Sequence, residues 1–175
     1  RSAPPLSQPS MPVALWAFTA TLSTVSVTPP QLPQPQRELL ITSAEELQSA
    51  FAAAAARPAV FLRLAGTIEI DSTFEIATDV TLRGSGDAQL VSSGPRLFRV
   101  NGGRLRLAAL HLSGGTAADG VGGGAALVES GGELALTDVN VSNCSAPAGR
   151  GGAILVRDGH LDARGGSFIR CSAEF

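Results

Sequence analysis

RLRLAALHL (104–112), ELALTDVNV (133–141) and HLDARGGSF (160–168) are three versions of one pattern. Leu105, Leu107, Leu110 and Leu112 are answered by Leu134, Leu136, Val139 and Val141, then by Leu161, Ala163, Gly166 and Phe168. Each set advances by two, then three, then two positions. A step of two keeps side chains on one face of a strand. The step of three predicts a bend between two short strands. The sets recur at a nearly constant interval, from Leu105 to Leu134 and again from Leu134 to Leu161. Repetition at this period is the mark of stacked coils, each burying its apolar row against the next. The predicted fold is all-β, a parallel β-helix with Leu105 and Leu134 on adjacent parallel strands. An antiparallel sandwich of short strands is the alternative, and it would separate those two leucines.

The pattern extends towards the N-terminus. VFLRL (60–64), TIEI (67–70), FEI (74–76), VTL (80–82), QLV (89–91) and LFRV (97–100) read as further short strands. Glycine-rich breaks at 102–103, 114–115, 122–124, 131–132, 151–152 and 165–166 mark corners. The break at 122–124 reads as a flexible corner. Residues 59–175 are expected to make roughly four stacked coils. Alternation then puts polar columns outside the apolar ones. One column holds Arg104, Glu133 and His160, a second Arg106, Ala135 and Asp162, and a third His111, Asn140 and Ser167.

Ahead of the strands, SAEELQSAFAAAAA (43–56) predicts a helix. Ser43 with Glu46 fits a capping box, alanine supplies propensity, and Pro58 stops the run. Leu47, Ala50, Phe51 and Ala54 share one face. A solenoid needs its first coil covered, and this stripe suits an N-terminal cap. Residues 1–37 are rich in Pro, Ser and Gln and are expected to be a disordered leader. Within it, Met11 to Val27 has the character of a signal-peptide core, although no clean small-residue cleavage site follows. The folded domain is expected over 38–175. Phe175 falls directly after a repeat element, so the solenoid is expected to be truncated there.

Composition narrows the functional classes. The net charge is −2, which gives no reason to expect nucleic acid as a partner. The thirteen cationic residues are all arginine. No apolar run reaches membrane-spanning length without Ser, Thr or Pro, so no transmembrane segment is expected. The two cysteines, Cys144 and Cys171, are one repeat interval apart and should be neighbours on successive coils, as stacked thiols or as a disulfide.

With these residues in view, Gly151-Gly152-Ala153-Ile154 resembles the GGAI element of polymorphic outer membrane protein repeats. Phe168-Ile169-Arg170-Cys171 stands where that family carries FxxN, with Cys in place of Asn. Gly123-Gly124-Ala125-Ala126 and Val141-Ser142-Asn143-Cys144 resemble an earlier copy. The wider lead-in, with a helix at 43–56 and the VTLRGSG stretch at 80–86, is similar to right-handed parallel β-helices of the pectin-lyase-like superfamily. The resemblance implies a right-handed coil and a secreted or cell-surface protein.

Enzymes on that fold use acidic calcium clusters, a strand-face base or paired aspartates. Here Asp138 aligns with Gly165, Asp162 with Ala135 and Asp158 with Ser130, so no column stacks two acids. Asp158-Gly159-His160 has Gly-His without a second glycine, and glycoside hydrolysis needs two carboxylates at a set separation. His111 and His160 stand at no zinc spacing with cysteine. No catalytic, metal or cofactor-binding residue is assigned, and no cofactor is expected. The expected function is non-catalytic and adhesive, binding an extended glycan or a surface protein on a lateral face that includes Arg104, Arg106, Glu133, His160 and Asp162. The alternative is a piece of a polysaccharide lyase or glycoside hydrolase whose catalytic residues are degenerate or lie beyond residue 175.

Overall fold

The computed structural model describes residues 38–54 and 56–174, so the leader 1–37, with its 11–27 segment, lies outside the described residues. In chain order the elements are β1 (Leu39–Ile41), α1 (Ala44–Ala54), β2 (Ala59–Ile70), β3 (Phe74–Ile76), β4 (Asp79–Pro95), β5 (Phe98–Asn101), β6 (Arg104–Ala108) and β7 (His111–Thr116). They continue with β8 (Ala126–Glu129), β9 (Gly132–Thr137), β10 (Asn140–Ser142), β11 (Ser145–Ala146), β12 (Ile154–Val156), β13 (Gly159–Arg164), β14 (Ser167–Ile169) and β15 (Ser172–Ala173).

These strands wind into a parallel β-solenoid of about five turns. One face stacks β1, the first half of β2, the first half of β4, then β6, β9 and β13. A second stacks the later halves of β2 and β4 with β7, β10 and β14. The third stacks β3, β5, β8 and β12. Leu105 pairs with Leu134, and Leu134 with Leu161, on adjacent parallel strands. That excludes the sandwich.

The turn count corrects the expected four. Ala59, Asp79, Arg104, Glu133 and His160 stack in register on the first face, one from each coil. The intervals from Ala59 to Asp79 and from Asp79 to Arg104 are unequal, and both are shorter than the two that follow. These short early coils hide the period that the later ones display. Strand β1 adds to the expected elements; its LLI is too short to show an alternation. The neighbour of Asp158 is shifted by one as well. Gly159 pairs with Gly132, and the Gly131 amide donates to the Asp158 carbonyl, so Asp158 lies beside Gly131 rather than Ser130.

The step of three has a backbone cause. Ala109, Asp138 and Gly165 occupy it on successive coils with φ of 51°, 54° and 71°. One left-handed residue turns the chain between two strands. For an L residue that conformation costs about 1–2 kcal/mol, with Asp and Asn tolerating it best. At the next corner Asn143 and Arg170 do the same, with φ of 54° and 55°.

The double glycines have a different cause. Gly123 and Gly151 are left-handed, and a Cβ on either would meet a backbone oxygen, of Ala126 or Ile154, at 2.2 Å. Gly124 and Gly152 are squeezed between coils, because a Cβ on Gly152 would lie 2.3 Å from the Ser172 carbonyl oxygen. The two copies stack directly, with the amides of Gly124 and Ala125 donating to the carbonyls of Gly152 and Ala153.

Helix α1 covers the first coil. Leu47, Ala50 and Ala54 are buried, and Phe51 stacks on Phe74 with ring centroids 4.5 Å apart. The helix spans 44–54 rather than 43–56. Ser43 is its cap, accepting from the Glu46 amide at 3.2 Å. The Glu46 carboxylate accepts in turn from the Thr42 amide at 2.8 Å, one residue earlier than a capping box requires. At the other end the amides of Ala56 and Arg57 turn back to the carbonyls of Ala53 and Ala54, tightening the chain before Pro58.

Candidate functional site

The outer surface of the first face is built by alternation: while Leu62, Leu82, Leu107 and Leu136 fill the core, their neighbours on each strand point outward. Register brings Arg104, Glu133 and His160 into one column, continued upward by Asp79. Arg106, Ala135 and Asp162 form the next column, continued by Thr81 and Phe61. All five residues singled out in the sequence thus lie on one sheet face.

Their electrostatics are mostly internal. Arg104 sits between two acids, bonded to Glu133 below and 3.4 Å from Asp79 above. The Glu133 carboxylate accepting from Arg104 pushes the guanidinium pKa up, and the same bond holds Glu133 below the usual carboxylate range. Asp162 pairs with Arg164 on its own strand at 2.9 Å. Exposed pairs of this kind add little to stability, because solvent screens them. They fix side-chain positions along the column rather than hold the fold together. Arg106 is exposed and makes no ion pair among the described residues.

The other faces carry comparable ladders. On the second face the Ser167 hydroxyl donates to Asn140 Oδ1 at 2.7 Å, and the Asn140 amide lies 3.4 Å from His111 Nε2. On the third, Arg99 bridges Glu75 at 3.6 Å and Glu129 at 2.5 Å. A cleft of about 750 Å³ also lies between α1 and the β1–β2 edge, lined by Leu40, Glu45, Ser49, Arg57 and Phe61 among others.

Cys144 and Cys171 are free thiols on successive coils. The Cys144 thiol donates to the Gly114 carbonyl at 2.8 Å, and Cys171 to the Ile169 carbonyl at 3.5 Å. Burial, with the adjoining Cys171 thiol, pushes the Cys144 pKa up to about 12. Cysteine here serves the corner as a small buried donor, and at neutral pH Cys144 is protonated and unreactive.

Two features escape a reading of the sequence. Arg96 is buried, and its guanidinium donates to the carbonyls of Gly123 at 2.8 Å and Gly122 at 2.6 Å and pairs with Asp119 at 3.0 Å. The triple glycine at 122–124 is therefore tied down rather than a free flexible corner. Nothing in a lone Gly-Pro-Arg announces this, because its partners are remote along the chain and two of them are backbone carbonyls. The other is Arg63 paired in register with Arg83, which only the short first coil reveals. No family model, curated protein or solved structure matches this chain.

Proposed function

We propose that this chain is a non-catalytic binding module, secreted or displayed at a cell surface, that holds an extended polymer along its first sheet face. One observation carries the reading. The face presents polar side chains at every coil in fixed register, with Arg104, Glu133, His160, Arg106 and Asp162 on two parallel columns. A flat surface repeating at about 4.8 Å suits a chain of similar units better than a small molecule, whose sites are concave and apolar. The acids on this face are engaged by arginine, and none has an acidic neighbour in register. That speaks against the carboxylate pair of a glycosidase at this place.

The narrower kinship is part of the same proposal. GGAI at 151–154 and the stacked glycines at 123–124 support polymorphic outer membrane protein repeats, and the capped parallel coil supports a pectin-lyase-like solenoid. An adhesive surface protein fits both. The test combines glycan-array binding with cleavage assays on pectic and algal polysaccharides, with and without calcium. Binding without cleavage, abolished by Arg104→Ala, Arg106→Ala and His160→Ala together, is the expected result. Turnover lost on mutating Asp158, Asp162 or His160 would make the chain a piece of a carbohydrate-active enzyme instead.

A further inference from the structure

The upper part of the first face differs from the rest in its charge. Arg63 and Arg83 are directly paired across neighbouring parallel strands, and both are exposed. Arg106, on the next coil, lies diagonal to Arg83, because Arg83 pairs with Ala108 two positions on. Like charges placed opposite each other on a sheet repel.

Among the described residues, Arg63, Arg83 and Arg106 form no ion pair, while the acids of the same face, Asp79, Glu133 and Asp162, are bound to Arg104 or Arg164. Arg106 is one of the charges that lower the Glu133 carboxyl, after Arg104 and His160. Residues 1–37 contain no Asp or Glu, and exposed Glu38, just ahead of β1, is in no ion pair among the described residues. In a chain of net charge −2, three arginines outside any ion pair of the described residues on one flat face are a local excess of positive charge. Half-buried Phe61 shares that face, two positions from Arg63 on the same strand.

We infer that Arg63, Arg83 and Arg106 form a binding site for a sulfated glycan, which rests on the proposed reading of this face as a polymer-binding surface. Guanidinium is the side chain whose planar fork matches oxyanions with two parallel hydrogen bonds. A chain laid across the strands through Arg63 and Arg83 next meets Ala108, with Arg106 set off two residues along its strand, about 6.6 Å. A chain with one carboxylate per sugar can therefore meet only two of them. A chain carrying more than one sulfate per sugar can meet all three, with Phe61 available to the apolar face of a ring.

The experiment titrates the full chain with heparin, polygalacturonate, a neutral galactan and duplex DNA. Heparin is expected to bind best, with affinity falling steeply as salt rises, since each guanidinium contact displaces a counterion. Arg63→Ser with Arg83→Ser should weaken heparin binding at least tenfold and flatten the salt dependence. Arg63→Lys with Arg83→Lys should keep the salt dependence but bind heparin more weakly than the native chain, since ammonium lacks the bidentate fork, and circular dichroism checks that both variants keep the fold. Heparin binding that ignores the serine variant overturns the inference, as does polygalacturonate or DNA binding as well as heparin. If heparin is not bound but a neutral or carboxylated glycan is, and that binding is lost in the Arg104, Arg106 and His160 variant, the face reading stands and the sulfate site falls. If no polymer is bound, both fall.

Discussion

The first two coils and the last three solve the same packing problem with different resources. The first two are short, running from Ala59 to Asp79 and from Asp79 to Arg104. They fill their interior with bulky groups such as Leu62, Leu64, Ile68, Phe74 and Phe98, and helix α1 closes them from above. The later coils are longer and nearly equal, stepping from Arg104 to Glu133 to His160, and they rely on stacked glycine corners at 123–124 and 151–152. At the stacked glycine corners of the later coils backbone meets backbone, where a side chain has no room. Irregularity in the early ones is permitted because side chains, which can vary in size, do the packing.

The sharpest way to break this comparison is to put a methyl group where two backbones touch. In Gly124→Ala the new Cβ would lie 2.6 Å from the carbonyl oxygens of Gly115 and Gly152 and 2.7 Å from the Ser145 amide. None of these is a flexible side chain. Overpacking of this kind costs about 3 kcal/mol. Gly94→Ala, in the early coils, meets nothing within 4 Å and should change stability by less than about 0.5 kcal/mol. Urea midpoints of the two variants measure the contrast, and equal midpoints would remove the backbone explanation of the later coils.

A core truncation sharpens it from the other side. Leu107 is fully buried with coils above and below, so Leu107→Ala should cost about 3 kcal/mol. Leu161 is only half-buried, and Leu161→Ala should cost about 1 kcal/mol. Thermal melts of the two variants measure the difference, and equal losses would mean that the last coil is packed as firmly as the middle ones. Next in size is Arg96→Met, which leaves the Gly122 and Gly123 carbonyls without their donor and should cost about 2 kcal/mol. Hydrogen exchange is the direct readout, with amides at 121–124 exchanging faster in the variant while those of β6 and β9 stay protected. Unchanged exchange at 121–124 would mean the guanidinium does not hold that corner.

The same contrast explains what the sequence discloses. Leu105, Leu134 and Leu161 are legible because coils of nearly equal length repeat one pattern, and the GG pairs are legible because steric demand leaves one residue type. The polar columns of the candidate face follow from that register without further assumption. The fifth turn, β1 and the Arg63–Arg83 pair are not legible, because the early coils are short, unequal and share no common period. Arg96 is hidden for another reason. Its role is fixed by carbonyl groups, which every residue carries, so no spacing of side chains signals it.

The smallest expected effect concerns the acidic partner of Arg96. Burial raises the Asp119 carboxyl, but the Val121 amide and the Arg96 guanidinium outweigh it and hold the pKa below its ordinary value of 3.8. In the unfolded chain the carboxyl keeps the ordinary value, so unfolding takes up a proton over the interval between the two. The stabilisation is therefore complete above 3.8 and is lost as pH falls through the lower folded value. Asp119 is 47% exposed, so solvent screening limits the pair to about 1 kcal/mol or less. Asp119→Asn should lower stability by that amount at pH 7, and the gap from the native chain should narrow as pH falls well below 3.8. Denaturant melts of both chains at matched ionic strength measure the difference directly, so the other lowered carboxylates, Glu46 and Glu133, cancel from the comparison. No gap at any pH would show that Asp119 holds the corner through its hydrogen bond to the Val121 amide, which asparagine also accepts, and not through its charge.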